Sequence, residues 1–379
     1  MTQTEIDNLF KQSTFRPSSD NANQLEITHD LDAAESLIKI ELVVLSIIEK
    51  TDDSLYVVEN RRRGLKCIKF TPFGSELIHA ICRYTDRSVS HFPIHEFNPY
   101  VKVFFGIIKN GVLADQIKGN GLLRSDRSVC CDEEQYKQFL LIAESIERLV
   151  EKVRQEIKSP SFRLLIYSQR RVSKKNNEGL VSYMDSLFNR YDRLLVHRVD
   201  FAYHMGNTIK TNSEINTKYL EAKGDFRHFL NNTKSNHLFN HMVGYVWKLE
   251  YGAEKGFHYH VLFFFNGAKM FKDRNLAMLV GEYWKNNITK GRGIYYNCNA
   301  NKHRYSQLGI GMIKYSDITL RAALYKTASY LVKVDHYARL LSPDNTRTFG
   351  RSEIVKPKQD GRGRPRIYSS EGNLKVSSA

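Results

Sequence analysis

The sequence of 379 residues predicts an α+β fold: a central antiparallel sheet covered by helices, preceded by a mainly helical N-terminal domain. Residues 245–251 and 257–265 alternate like two strands around a short turn bounded by glycines, a pattern typical of a β-hairpin. Residues 133–157 instead repeat apolar side chains at helical spacing. Antiparallel strands combined with helices favour a sandwich with helices over one face of the sheet.

The first half divides into a polar arm, residues 1–30, and a domain, residues 31–158, to which the sequence assigns no role. Its predicted elements are a helix over 33–50, short strands over 55–58 and 65–70 around the basic turn 61–63, helical or apolar core segments over 75–83 and 100–108, and the long helix 133–157. A helix-strand mixture with a basic turn is compatible with a winged-helix-like DNA module and equally with a packing domain specific to one family.

The second half, residues 159–350, is predicted to start where Ser159 and Pro160 end the long helix. Its first elements are expected as strands over 164–168 and 194–203, with a helix over 181–191 between them. A helix over 214–231 with Ser213 as N-cap, the hairpin and a helix over 275–286 follow. The last helix is expected from Asp317 to Leu341, capped by Ser316 or Asp317 and stopped by Ser342-Pro343.

The strand Phe257–Phe265 carries two histidines, His258 and His260. Residues two apart in a strand project to the same face, so both imidazoles lie together. Unpaired polar groups are costly on a buried apolar sheet. A metal ion removes that cost, because neutral imidazole is a good ligand.

The preceding strand adds a carboxylate. If Tyr251 pairs with Phe257, Glu250 lies opposite His258; a slip of one residue on each strand places it opposite His260. In both registers Lys248 and Glu250 share the face of the histidines. Two imidazoles and one carboxylate with open positions suit a catalytic divalent cation.

The last predicted helix contains the pattern Tyr330-Leu331-Val332-Lys333. At about 100° per residue, Lys326, Tyr330, Lys333 and Tyr337 fall in one sector, whereas Tyr325 lies about 140° from Tyr330. A tyrosine flanked by lysines beside a metal site fits covalent attack on a phosphodiester. The sector predicts Tyr330 as the single nucleophile and Lys333 as a stabiliser of developing charge.

The pattern His258-Tyr259-His260, followed by Tyr330 and Lys333, resembles the HUH endonucleases. In that superfamily a tyrosine nicks single-stranded DNA and stays joined to the 5′ phosphate. The tyrosine follows the histidine pair here, as in rolling-circle replication initiators. The resemblance implies Glu250 as an acidic third ligand to Mg²⁺ or Mn²⁺, and a nucleophile on a helix that covers an antiparallel sheet.

A narrower resemblance, over roughly residues 160–355, is to the YagK/YfjJ C-terminal-domain family, which includes inovirus-type, gene-two-like replication proteins of prophages. It is carried by the stretches 193–203, 309–317 and 347–350. The resemblance implies a rolling-circle initiator that nicks and rejoins single-stranded or hairpin origin DNA, with host helicase and polymerase as expected partners.

The charge of the chain agrees with a DNA partner. Residues 1–158 contain 21 Lys and Arg against 24 Asp and Glu, a net charge of −3, so the remainder carries +19 and the whole chain +16. A basic half is the electrostatic footprint of a polyanion binder, although a soluble basic surface gives the same count. Asp200, Lys248, Lys326 and Tyr337 are further candidates for contact with DNA.

The tail, residues 351–379, is basic and rich in proline and glycine, and is predicted to be disordered. Within it Arg362-Gly363-Arg364-Pro365 resembles the core of an AT-hook, which places Arg362 and Arg364 in an A·T minor groove. Generic attraction to phosphate and the absence of any role are the alternatives.

Five cysteines without a Cys-x-x-Cys pair favour reduced thiols and a cytoplasmic protein, and no apolar run reaches the ~20 residues that span a bilayer. Three functions other than the initiator fit part of the pattern: a non-catalytic DNA-binding regulator, a metal-dependent enzyme acting on small molecules, and a single-strand transposase of the HUH superfamily.

Overall fold

The computed structural model describes residues 4, 16–18, 24–26, 29–60, 66–84, 91–108, 112–120, 122, 129–130, 132–204, 211–304, 309–333, 337–342, 344 and 346–356. Arg362 and Arg364, and the basic turn 61–63, lie outside these residues, so the predictions made for them stay predictions.

The N-terminal half is mainly helical, as predicted. Its elements are β1 (Arg16–Pro17), β2 (Leu25–Glu26), α1 (Asp30–Glu49), β3 (Tyr56–Asn60), β4 (Lys66–Phe70), α2 (Pro72–His79) with a π-helical turn (Ala80–Tyr84), β5 (His95–Phe97), α3 (Pro99–Ile108), α4 (Val112–Gly119), β6 (Val129–Cys130) and α5 (Glu133–Lys158). Strands β3, β4 and β6 form a small antiparallel sheet against these helices.

The second half contains α6 (Pro160–Arg190), β7 (Arg193–Tyr203), α7 (Asn212–Asn232), β8 (Met242–Gly252), β9 (Gly256–Asn266), α8 (Asp273–Glu282) with a π-helical turn (Tyr283–Ile288), β10 (Gly293–Asn297), β11 (Gly311–Lys314), α9 (Ile318–Lys333), β12 (Ala338–Leu340) and β13 (Phe349–Arg351). The central sheet has the order β10-β7-β9-β8-β13, and β11 also pairs with β7. All of these pairings are antiparallel, which confirms the predicted central sheet.

The two faces of the hairpin β8–β9 divide as the sequence predicts. Leu249, Tyr259 and Phe263 pack with α7 and α8 in one apolar core, while Val246, Leu262 and Phe264 belong to a second core on the opposite face. That second core includes residues of α6, α9 and the N-terminal helices. Helices therefore cover both faces of the sheet, whereas the sequence favoured one, because the N-terminal half also packs onto the site face.

Two local predictions are wrong at the start of helices. Residues 164–168 are helical, not a strand, because Ser159 caps α6 by accepting a hydrogen bond from the Phe162 N–H and Pro160 occupies its first turn. The same Ser-Pro pair that ends α5 thus starts α6. Helix α7 is capped by Thr211 in a capping box with Glu214, two residues before the predicted Ser213.

The last helix is shorter than predicted. Asp317 caps it as expected, since its carboxylate accepts from the Leu320 N–H at 2.9 Å. The helix ends at Lys333 rather than Leu341, and Ala338–Leu340 is a strand paired with β5 of the N-terminal half. Pairing with a distant strand has overridden the helical propensity of this segment.

Among the described residues, no helix combines the length and apolar character needed to cross a bilayer. Cys67, Cys82 and Cys298 are buried free thiols.

Candidate metal centre and nucleophile

The register of the hairpin brings the predicted ligands together. Tyr251 pairs with Phe257, Glu250 with His258, and Lys248 with His260, which confirms the first of the two predicted registers. Strand β7 lies on the other side of β9 and places Asp200 opposite His260. Glu250, His258 and His260 are buried, and their donor atoms lie within 4.8 Å of one another.

The hydrogen bonds of the two imidazoles orient both Nε2 atoms toward Glu250. His258 Nδ1 lies 3.0 Å from the Gly256 carbonyl and His260 Nδ1 lies 2.8 Å from Asp200 Oδ1, so each Nδ1–H has an acceptor. Each Nε2 lies 3.3 Å from Glu250 Oε2. An acceptor on Nδ1 that leaves Nε2 for the metal is the usual arrangement of a ligating histidine.

The buried polar atoms of this cluster fit a divalent cation. Glu250 Oε1 and His260 Nε2 are enclosed and make no hydrogen bond of good geometry. Such groups are costly inside a protein unless a ligand satisfies them. Two imidazole nitrogens and a carboxylate are a donor set that Mn²⁺ accepts readily, and Mg²⁺ through the carboxylate oxygen.

The electrostatics of the cluster favour a neutral His258 and a charged Glu250. Burial, with a contribution from Lys255, lowers the pKa of His258 to about 4. Burial acts to raise the pKa of Glu250, but His260 and His258 outweigh it and hold that pKa well below its usual range. Burial acts to lower the pKa of His260, but Asp200 and Glu250 outweigh it and raise that pKa.

The raised pKa of His260 predicts that the affinity of this candidate site for a metal depends on pH. A metal must displace the proton from Nε2, so Mn²⁺ affinity should rise with pH, by up to about tenfold per unit below the pKa of His260, and level off above it. His258, with a pKa of about 4, is already deprotonated near neutrality and adds nothing to this pH dependence. Calorimetry in two buffers of different ionisation enthalpy measures the released proton. Mn²⁺ binding with the same affinity at about pH 6 and about pH 8 would contradict the prediction.

Tyr330 lies beside this cluster. Its ring centroid is 6.3 Å from that of His260, and the guanidinium of Arg198 lies 5.4 Å from the centre of the tyrosine ring. Arg198 also binds Asp200 at 3.2 Å. The tyrosine is 3% exposed, because α9 packs it against the sheet face that carries the histidines. The phenol of Tyr330, the guanidinium of Arg198 and the sheet face that carries the histidines therefore adjoin one another.

The other predicted site residues have different surroundings. Lys333 is the last residue of α9, and its side chain lies outside the described residues. Lys326 is half-buried on the same helix. Lys248 is fully buried with Thr348 Oγ1 3.5 Å from its Nζ, and Tyr337 is buried beyond the end of the helix. Burial of Lys248 and Tyr337 argues against direct contact with DNA in this conformation.

Tyr325 lies on another face of α9, as its spacing predicts. It donates a hydrogen bond to Asp185 of α6 and accepts one from Arg321 at 2.7 Å. Burial and the bond to Asp185 raise the pKa of Tyr325. A phenol held in this way is poorly suited to act as a nucleophile.

The sequence analysis did not identify two charged residues of the site, Arg198 and Lys255. Arg198 lies two residues before Asp200 on β7, so period-two spacing could have assigned it to the same face. Lys255 lies in the hairpin turn, and no spacing rule indicates that it is 3% exposed. Burial lowers the pKa of Lys255 to about 8 despite the opposing effects of Glu250 and Asp200.

Comparison with known proteins gives a match to a family model. The family model described as YagK/YfjJ C-terminal domain matches residues 162–352, just over half of the chain and the part that contains the central sheet, the candidate metal-ligand cluster and Tyr330. No curated protein and no solved structure was found to match the chain.

Proposed function

The chain belongs to the YagK/YfjJ C-terminal domain family, and from this membership and its site we propose that it is a rolling-circle replication initiator that nicks and rejoins single-stranded DNA. The family is consistent with a prophage-type replication or nuclease-like protein. The observation that carries the proposed nicking and rejoining is the position of Tyr330 beside His260, on the sheet face that carries the proposed metal ligands.

In the proposed reaction, Glu250, His258 and His260 hold Mg²⁺ or Mn²⁺. When bound, the metal supplies Lewis-acid polarisation of the phosphoryl oxygen. Tyr330 Oη attacks phosphorus, an O–P bond forms to the tyrosine, and the bond from phosphorus to the 3′ oxygen breaks. Tyr330 loses its phenolic proton in this step and the leaving 3′ oxygen takes up a proton, so the number of protons is unchanged. The products are a 5′-phosphotyrosine and a free 3′-OH.

Arg198 takes part through its charge. Its guanidinium lies over the Tyr330 ring and is fixed by Asp200, so a preorganised cation is available where negative charge develops during transfer. We assign Lys333 a similar role at the next turn of the helix. Asp200 has a second role, since it holds the Nδ1–H of His260 and thereby the orientation of that ring.

Rejoining is the reverse of cleavage. A 3′-OH attacks the phosphotyrosine, the O–P bond to Tyr330 breaks, and the phenol recovers its proton. One phosphodiester is exchanged for another in both directions, so no ATP is needed. The free 3′-OH left by the first step is a primer for a host polymerase, and a host helicase is the expected partner for unwinding.

The exposed part of α6 supports a DNA partner. Arg163, Arg170 and Lys174 are exposed and fall within about 40° of one another around the helix axis. Asn177 lies close to the same sector and accepts a hydrogen bond from Ser329, the residue before Tyr330, at 2.6 Å. A basic stripe thus leads along α6 toward the nucleophile, as expected for a surface that follows a phosphate backbone.

The proposal is tested by incubating the protein with end-labelled single-stranded DNA from its own replicon and Mn²⁺. Denaturing electrophoresis should show a band in which DNA has become covalently joined to protein, and EDTA should abolish it. Binding without a covalent band would favour a DNA-binding regulator. Joining of the captured end to a second, unrelated DNA molecule would favour a transposase.

A further inference from the structure

The start of α1 contacts the turn of the hairpin β8–β9, whose strands carry the candidate metal ligands. Asp30, the first residue of α1, is 1% exposed, and its Oδ2 accepts hydrogen bonds from the backbone N–H groups of Glu254 at 3.1 Å and Lys255 at 3.2 Å. In return, the Glu254 carboxylate accepts a hydrogen bond from the backbone N–H of His29 at 2.9 Å. These reciprocal hydrogen bonds join segments that lie 225 positions apart in the chain.

The hairpin turn is shaped around the Asp30 carboxylate. Gly252 and Gly256 pair across the base of the turn, and the two N–H groups that bind Asp30 follow one another between them. Successive backbone N–H groups that point at one anion form a nest, a common way for a backbone to hold negative charge. A Cβ on Gly252 would overlap Asp30 Oδ2, so glycine at this position leaves the space that the carboxylate fills.

A short chain of contacts leads from Asp30 to a candidate metal ligand. Lys255, whose N–H binds Asp30, precedes Gly256, which has a φ of 69° in the left-handed region that glycine adopts readily. The Gly256 carbonyl accepts a hydrogen bond from His258 Nδ1 at 3.0 Å, and His258 Nε2 lies 3.3 Å from Glu250 Oε2. The direction of the His258 ring therefore depends on the direction of a carbonyl in the turn that Asp30 binds.

Both strands of the hairpin carry a candidate ligand close to this turn. Glu250 lies two residues before Gly252 on β8, and His258 lies two residues after Gly256 on β9. The register of a hairpin depends on the geometry of its turn, so a change in the turn would displace the two ligands relative to each other. Metal affinity is sensitive to such displacement, because the donor atoms must meet the cation at closely defined distances.

We propose that Asp30 is a positioning residue of the metal centre, which fixes the hairpin turn and, through the Gly256 carbonyl, the ring of His258. The inference rests on the proposed metal site and extends it to a residue outside the family match, which begins at residue 162. It also gives the N-terminal half a role, because α1 completes a site whose three candidate ligands all come from the other half of the chain.

The test measures the Mn²⁺ affinity of the full chain by calorimetry without DNA. Asp30→Ala removes the acceptor of the two N–H groups and should weaken Mn²⁺ binding by about tenfold, the lower end of the usual effect of losing a group that orients a ligand. Asp30→Asn keeps an oxygen that can accept from both N–H groups and removes only the charge. It should stay within about threefold of the unaltered protein.

Asp32 provides the matched control on the same helix. Like Asp30, it is an acid in the first turn of α1, where a negative charge interacts favourably with the helix dipole. Its side chain is exposed, whereas that of Asp30 is buried against the hairpin turn. Asp32→Ala therefore removes the same kind of charge from the same helix and should leave Mn²⁺ affinity unchanged.

Gly252→Ala disturbs the same contact from the side of the hairpin. Its Cβ displaces the Asp30 carboxylate, so this variant should also weaken Mn²⁺ binding. The two changes remove one interaction, so Asp30→Ala combined with Gly252→Ala should bind Mn²⁺ no more weakly than the more impaired single variant. Additive losses would show that the two residues act separately, and would overturn the turn as the route from Asp30 to the site.

The remaining outcomes separate this inference from the proposed function. Equal Mn²⁺ affinity in the unaltered protein and Asp30→Ala, with binding weakened by Glu250→Gln, would overturn the role of Asp30 alone. An equal loss in Asp30→Asn and Asp30→Ala would assign the effect to charge and overturn positioning through hydrogen bonds. Failure of the unaltered protein to bind Mn²⁺ would overturn both the metal centre and this inference.

A folding defect does not remove the test. If Asp30→Ala does not fold, as judged by circular dichroism, folded Gly252→Ala decides: weakened Mn²⁺ binding supports the role of Asp30, and unchanged binding overturns it. Normal Mn²⁺ binding by the unaltered protein without a DNA adduct would remove only the nicking reaction, and the variants of Asp30 would still report on the metal centre.

Discussion

Replacing Tyr330 with phenylalanine should abolish covalent capture of single-stranded DNA. The phenylalanine ring retains the packing against Arg198 and His260 but lacks the hydroxyl that attacks phosphorus. Loss of a covalent nucleophile lowers catalysis by roughly 10⁴-fold or more, which puts the adduct below detection. Denaturing electrophoresis with labelled DNA and Mn²⁺ measures it. Binding of the same DNA under native conditions should stay near normal, because the basic surface is unchanged.

Tyr325→Phe is the matched control on the same helix. Its hydroxyl is bonded to Asp185 and Arg321, so the change should cost about 1 kcal/mol of stability and leave the adduct intact. An adduct formed by Tyr330→Phe would show that the nucleophile is assigned wrongly. Loss of the adduct in Tyr325→Phe, in folded protein, would instead indicate that two tyrosines take part. Cleavage without an adduct in Tyr330→Phe would indicate direct hydrolysis by water.

The hairpin was predictable from the sequence because its pattern is local. Alternation of period two fixes which side chains share a face, and the glycine-bounded turn restricts the register to two choices. The apolar partners Tyr251 and Phe257 favour the register that the structure adopts, with ring centroids 4.6 Å apart on the packed face. Glu250, His258 and His260 then share a face because of this pairing.

The elements that the sequence misplaced depend on distant contacts. Tyr337 was assigned to the nucleophile helix by spacing, yet α9 spans Ile318–Lys333 and the strand Ala338–Leu340 pairs with residues 95–97. That pairing joins residues more than 240 positions apart, and no periodicity records it. The strand expected at 164–168 failed for a different reason: a short apolar run does not distinguish a strand from a helix, and the cap at Ser159 decided the outcome.

The distinction between local patterns and distant contacts also applies to the residues of the site. Residues that act from β7, β8 and β9 were found or could have been found, since Arg198 has the same parity as Asp200. Asp30 binds the hairpin turn and the ring of His95 lies 6.2 Å from that of Tyr251, although both residues come from another part of the fold. In the sequence, each resembles an ordinary capping or core residue. The family match also begins after both of them. Their position beside the hairpin could come only from the tertiary structure.

Replacing His258 and His260 together with alanine should remove metal-dependent nicking and at least about 100-fold of Mn²⁺ affinity, because two of the three donors are lost. In the unaltered protein, Mn²⁺ at about 100 times its dissociation constant should stabilise the fold by about 2.7 kcal/mol. The double variant should show no metal-dependent rise in melting temperature. Thermal unfolding with and without Mn²⁺ therefore reports the site independently of any reaction with DNA.

Replacing both histidines with alanine should also lower the stability of the metal-free protein. Glu250 is buried and its charged form is held by the two imidazoles, so their removal leaves a carboxylate without partners. Breaking a buried pair in this way costs about 3–5 kcal/mol, and the metal-free double variant should melt lower than the unaltered protein. Glu250→Gln separates the two effects, since it removes the charge and keeps the volume. It should lose Mn²⁺ affinity with a smaller fall in melting temperature, whereas retention of Mn²⁺ stabilisation by both variants would place the metal elsewhere.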